Sequence, residues 1–250
     1  MEQAEIIYEL DNIWKEYFDK LPIKTGYANP ADMPENTKTI IFGINPSNPK
    51  KDGVIIKNKP LGEGKYQSHI ETRDIKSNYH EKVRSVFPSN DIYGEIGYMD
   101  IFHFRITDQK SLKRDILSKP LGLDFCVNEI ALTQKILEDI KPKLVIVKNR
   151  EAWAYFGYIP EYTWMGYELK PIVSLDLHDE TAPYHFCKGA ALCEVIGFRK
   201  DNDRINQDIF NKTSLKYILF MHDFAGRPIR SKFSQKVTSE IMRDILKPYL

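Results

Sequence analysis

Three apolar runs of this chain end in side chains that can do chemistry. "TIIFGINPSNP", residues 39 to 49, runs into Asn45 and Ser47 between two prolines; "YMDIFHFR" carries Asp100; "SLKYILFMHDFAGRPI" runs into His222. Each could aim a donor or an acceptor into a shared crevice. An amide such as Asn45 can orient a water, but it cannot ionise and so cannot take the water's proton. An ionised Asp100 is acceptor-only and suits a partner that presents two donors. Every one of them also has a structural reading. Asn beside Pro is a common turn former, because its side chain bonds its own backbone. His222 at a strand end can be a half-buried histidine satisfied by a carbonyl, and Asp100 can cap a turn or pair with Arg105.

Two other signals carry less. "GEGK", 62 to 65, lacks the Gly-x-x-x-x-Gly-Lys-Ser/Thr spacing of a phosphate loop and follows no strand. His178, His185, Cys187 and Cys193 fall in one stretch without a paired Cys-x-x-Cys, so buried thiols and ordinary histidines are the preferred reading, and no metal or other cofactor is expected.

The elements that must position these residues follow from periodicity. Residues 4 to 20 place Ile6, Leu10, Ile13, Trp14 and Tyr17 at helical spacing. "TKTIIFGI", "IGYMDIFHF", "KLVIVKN" and "SLKYILFMHD" read as four strands, apolar enough for burial on both faces. "LDFCVNEIALTQKILEDIKP", "REAWAYFG" and the C-terminal "SQKVTSEIMRDILKPYL" read as helices. Residues 48 to 90 form a polar excursion, and 157 to 214 an irregular insertion. Strands alternating with helices imply a mostly parallel sheet covered on both faces, with its ligand crevice outside the carboxyl ends of the strands. The expectation is one domain over 1–250.

Composition narrows the function. The 250 residues are 42% apolar and 28% charged, as in an ordinary globular protein, and the net charge of +1 gives no global basic field. Nucleic-acid contact must then come from a local patch, and the lysines from Lys50 and Lys51 to Lys65 form the one basic run. Three cysteines do not make a disulfide framework, and the N-terminal stretch reads as neither secretion signal nor membrane anchor, so a cytoplasmic location is expected.

In the order of these elements and in its motifs the chain resembles the uracil-DNA glycosylase superfamily. "FGINPS" looks like the first motif of its mismatch-specific branch; "LEDIKPKLVIVKNREAWAYFG" is similar to its third unit, with Asn149 where the family has glycine; "ILFMHDFAGRPI" stands where its His-Pro-Ser loop stands. The resemblance implies an α/β three-layer sandwich with a central, mostly parallel four-stranded sheet flanked by helices. It implies a DNA glycosylase that hydrolyses the N-glycosidic bond of a damaged or mismatched base flipped out of DNA. Asn45 then positions the attacking water and His222 stabilises the departing base. Gly43, Ile44, Pro46 and Ser47 form the pocket floor, Tyr66 (or Phe87) stacks on the base, and Asp100 reads its edge, favouring a purine with two donors over uracil. Arg227, Lys50 and Lys51 are candidates for the DNA backbone, with a plain surface arginine an equal reading of Arg227. Asp223 and Phe224 replace the family's Pro-Ser, removing a phosphate-gripping serine. Two alternatives stand beside this reading: a non-catalytic nucleic-acid or nucleotide-binding module, and a hydrolase of free nucleosides.

Overall fold

The computed structural model describes residues 1–17, 19–23, 33–46, 95–106, 108–159, 164–175, 190–200, 204–206, 211–221 and 246–249. The polar excursion, most of the stretch expected to form a C-terminal helix and the positions Ser47, Lys50, Lys51, Tyr66, Phe87, His222 and Arg227 lie outside them.

The apolar runs form the expected strands: β1 Thr39–Gly43, β2 Ile96–Asp100 and β3 Leu144–Lys148. All but the last residue of β1 and of β3 is buried, as is the whole of β2. Strands with no polar face need cover on both sides, and their side-chain pattern is continuous for that reason. The run before His222 forms the last described strand in the chain, Tyr217–Met221.

Among the described residues the sheet has six strands rather than four, and the difference lies in the segment read as an irregular insertion. That segment holds two further strands, β4 Tyr167–Leu175 and β5 Ala190–Phe198, so Tyr217–Met221 is β6. The order is β2-β1-β3-β6-β5-β4. β2, β1, β3 and β6 pair in parallel, while β5 pairs antiparallel with β6, and β4 with β5. The fold is thus α/β with a mixed sheet. Among the described residues β4 ends the sheet, and there it carries Pro171, which has no N–H to donate to a ladder. Register shifts fall between Glu168 and Leu169 and between Pro171 and Val173. They break the simple alternation that would have marked a strand.

Helix α1, Gln3–Tyr17, buries Ile6, Leu10, Trp14 and Tyr17 on one stripe. It lies on α3, Pro120–Ile140, where Phe125 meets Trp14 edge-on (5.8 Å between centroids) and Tyr17 at 5.4 Å. Tyr17 donates its hydroxyl hydrogen to Asp124 and accepts from Asn128 Nδ2 (3.2 Å). Pro120 opens α3 at a position where the missing N–H costs nothing. Lys141, left-handed with φ 56°, closes it before Pro142. Between β2 and α3 a single turn, α2 Gln109–Ser111, runs on as a π-helix, Leu112–Leu117. α4, Arg150–Tyr155, follows β3 directly. Among the described residues no helix is long and apolar enough to cross a membrane.

Candidate functional site

From β1 the chain goes to β2 on one side and later to β3 on the other. Crossovers leaving in opposite directions open a crevice at the carboxyl ends of β1 and β3. The residues that stand there are Gly43 to Pro46, the segment after Asp100, and Lys148 with Asn149.

Gly43 and Asp100 are register partners across β1 and β2. The pairing continues beyond the strands, with Ile101 N donating to Gly43 O (3.2 Å) and Phe102 N to Ile44 O (2.8 Å). The approach at residue 43 is so close that a Cβ would lie 2.1 Å from Asp100 Oδ1, so only glycine fits. Ile44 turns into the core at 3% exposure and offers the crevice its backbone alone. Asp100 is buried, and so is Arg105 five residues on. Burial pulls the Arg105 guanidinium below its ordinary value, and the charge of Asp100 opposes that pull.

Asn45 is half-buried, and three hydrogen bonds hold its amide. Nδ2 donates to Pro46 O (2.9 Å) and to Ile106 O (3.1 Å), and Oδ1 accepts from Gln109 Nε2 (3.0 Å). Carbonyls only accept, so these contacts fix which end of the amide is nitrogen. Gln109 is the first residue of α2, whose start is fixed by Asp108 Oδ1 accepting from Ser111 N (2.8 Å).

The segment that supplies Ile106 is itself pinned from below. Glu129 on α3, fully buried, takes the His103 main-chain N–H (2.8 Å) and the ring Nδ1 (2.9 Å) on the same Oε2. His103 Nε2 lies 3.3 Å from Thr133 Oγ1, which donates to Ile101 O (2.8 Å). A carboxylate, an imidazole and a hydroxyl in line resemble a nucleophilic triad, but Thr133 is fully buried and no substrate can reach it. The trio therefore holds the turn after β2. Nearby, burial and then the charge of Glu129 push the Cys126 thiol well up, leaving it inert.

On the β3 side, Asn149 stands at φ 79°, ψ 123°, and its side chain caps α4 by accepting from Glu151 N (3.2 Å). Trp153 of α4 donates Nε1 to Met221 O (3.3 Å), fixing the end of β6.

The site residues named from sequence thus divide into three groups. Gly43, Asn45, Pro46 and Asp100 come together at the carboxyl ends of β1 and β2; Ile44 belongs to the core; Ser47, Tyr66, His222, Arg227, Lys50 and Lys51 lie outside the described residues. Sequence reasoning missed Gln109, His103, Glu129 and Thr133. The last two were signalled by phase: they fall on the buried stripe of α3 beside Phe125, Ile130 and Ile136, where a polar side chain needs a partner. Of the residues weighed as zinc ligands only Cys193 is described; it is buried in β5, and that burial pushes its thiol up to about 12. Among the described residues no three His, Cys, Asp or Glu side chains gather as a metal site. No protein-family model matches the chain, and no curated protein resembles it significantly in sequence.

Proposed function

We propose that the protein is a hydrolase of N-glycosidic bonds, a DNA glycosylase of the uracil-DNA glycosylase type that acts on a damaged or mismatched base flipped from DNA. The observation that carries this reading is Asn45. It stands after the first parallel strand, at the sheet's switch point, with its amide held in one orientation by Ile106 and Gln109. Hydrolysis through an oxocarbenium-like sugar needs a water held in place more than it needs a strong base, and a clamped amide meets that need. The four parallel strands support the fold assignment. β5 and β4 are then an antiparallel extension of that core. Asp100, buried beside Arg105, gives the pocket an acceptor edge suited to a base with two donors, a purine rather than uracil.

The same hydrogen bonds favour a second reading, a non-catalytic nucleic-acid-binding module in which Asn45 only ties its own turn to residue 106. A glycosylase screen over oligonucleotides carrying the common deaminated and alkylated bases separates the two. The expected result is release of at least one purine lesion. Asn45→Ala should lower the single-turnover rate on the order of 10²-fold with DNA affinity unchanged, and His222→Ala should do likewise. Release of uracil alone would overturn the assignment of Asp100. Salt-dependent DNA affinity without any release would favour the module, and no DNA affinity at all would leave the free-nucleoside hydrolase.

A further inference from the structure

We propose that Asn45 and Gln109 form a two-acceptor cradle for a single water, and that this water is the nucleophile of the hydrolysis above. The second half of the statement rests on the glycosylase reading; the first does not.

Both hydrogens of Asn45 Nδ2 are committed to carbonyls, Pro46 O at 2.9 Å and Ile106 O at 3.1 Å. The amide therefore serves a water only through Oδ1. That oxygen has two lone pairs, and Gln109 Nε2 occupies one of them at 3.0 Å. One acceptor site remains. A single acceptor holds one O–H of a water and leaves the molecule free to spin about that bond. To direct a lone pair at a carbon, the water must have both O–H bonds held.

Gln109 supplies the second acceptor. Among the described residues its amide is bonded to Asn45 alone, and none of them occupies Oε1. The oxygen and nitrogen of a primary amide are about 2.2 Å apart, set by the C=O and C–N bond lengths. Oε1 consequently lies no farther than about 5 Å from Asn45 Oδ1. Two oxygens bridged by one water stand about 4–5 Å apart, twice the O–H···O reach folded at the water's angle. Three local bonds hold the pair: Asn45 to Ile106 O, Gln109 to Asn45, and Asp108 Oδ1 to Ser111 N beneath α2.

The step balances without a basic side chain. The water oxygen bonds to the sugar C1′ as the C1′–N bond breaks, and the electron pair of that bond leaves with the base. The water's surplus proton reaches the base nitrogen through solvent. Neither amide accepts it, which matches a site built from Asn and Gln rather than Asp and Glu.

The test begins with a crystal structure at a resolution that places waters. One ordered water within about 3.2 Å of both Asn45 Oδ1 and Gln109 Oε1 is expected. In Gln109→Leu that water should be lost while the Asn45 to Ile106 bond remains. On the lesion found in the screen, Gln109→Leu should lower the single-turnover rate at least tenfold at unchanged DNA affinity. Gln109→Glu keeps the shape, but when ionised it cannot donate to Oδ1. Its rate should fall through a carboxylate ionisation that the wild-type pH profile lacks. A wild-type structure with no bridging water, or a Gln109→Leu protein that excises at the wild-type rate, overturns the cradle. A bridging water in a protein that releases no base from any substrate keeps the cradle but overturns the water's role as nucleophile, and with it the glycosylase reading.

Discussion

At the scale of single residues, Gly43 carries a sharp prediction. Its missing side chain is the space that Asp100 Oδ1 occupies, 2.1 Å from where a Cβ would stand. Asp is short, and here it is buried with the charge of Arg105 close by, so it cannot swing aside without separating two buried charges. Gly43→Ala should lower stability by about 1–3 kcal/mol, read as a lower urea midpoint. In an Asp100→Gly background the same change should be close to neutral. Costs that simply add across the double-mutant cycle would remove Asp100 as the cause. Gly43 could be named from sequence because it belongs to "FGINPS", the stretch that carries the resemblance to a family motif. Gln109 could not be, since nothing in "RITDQKS" marks it. It matters only because folding brings it to Asn45, 64 positions away in sequence.

At the scale of elements, α3 binds the two halves of the sheet. Its Glu138 is buried and takes four hydrogen bonds: Tyr167 Oη (3.0 Å) from β4, Thr213 Oγ1 (2.7 Å), and both Ser214 N (2.6 Å) and Oγ (2.8 Å) ahead of β6. One turn earlier, Gln134 donates to Met165 O (3.0 Å) and accepts from Asn206 Nδ2 (2.8 Å). Glu138→Gln replaces one acceptor oxygen with a donor facing donors. It should cost about 1–3 kcal/mol for each bond left unmade. Hydrogen exchange should then quicken first in β4 and at the start of β6, the two places that Glu138 holds, because none of these bonds reaches β1 or β3; equal quickening in β1 and β3 would contradict this coupling. The halves also differ in how far sequence exposed them. β1 and β3 are buried on both faces and read as continuous apolar runs. β4 carries Glu168, Lys170 and Pro171, and the large side chains Ile172 and Ile196 stand out at 42% and 53% exposure. Strands at the less covered end of a sheet lose the pattern that identifies a strand, so the extension past β6 was visible only in three dimensions.

At the scale of the whole molecule, the core holds thiols and phenols whose ionisation burial opposes. Burial pushes Cys193 up to about 12 and Cys126 well above its ordinary value. It also raises Tyr155 and Tyr167, with nearby acidic side chains adding to the effect. In the unfolded chain these groups ionise near their usual values, about 8.5 for thiols and about 10 for tyrosines. Between those values and the raised ones the folded state holds more protons than the unfolded state, so stability must fall as pH rises. The urea midpoint should therefore be insensitive to these groups below about pH 8.5 and decline from there toward pH 12. With a net charge of only +1, general charge repulsion adds little near neutral pH to hide that onset. Cys193→Ala separates the cause. The cavity it leaves lowers the midpoint by the same amount at every pH, whereas the lost thiol makes the alkaline decline shallower than in the wild type. Declines of equal slope in the two proteins would show that Cys193 ionises as readily in the fold as outside it, and that β5 admits water where it packs between β4 and β6.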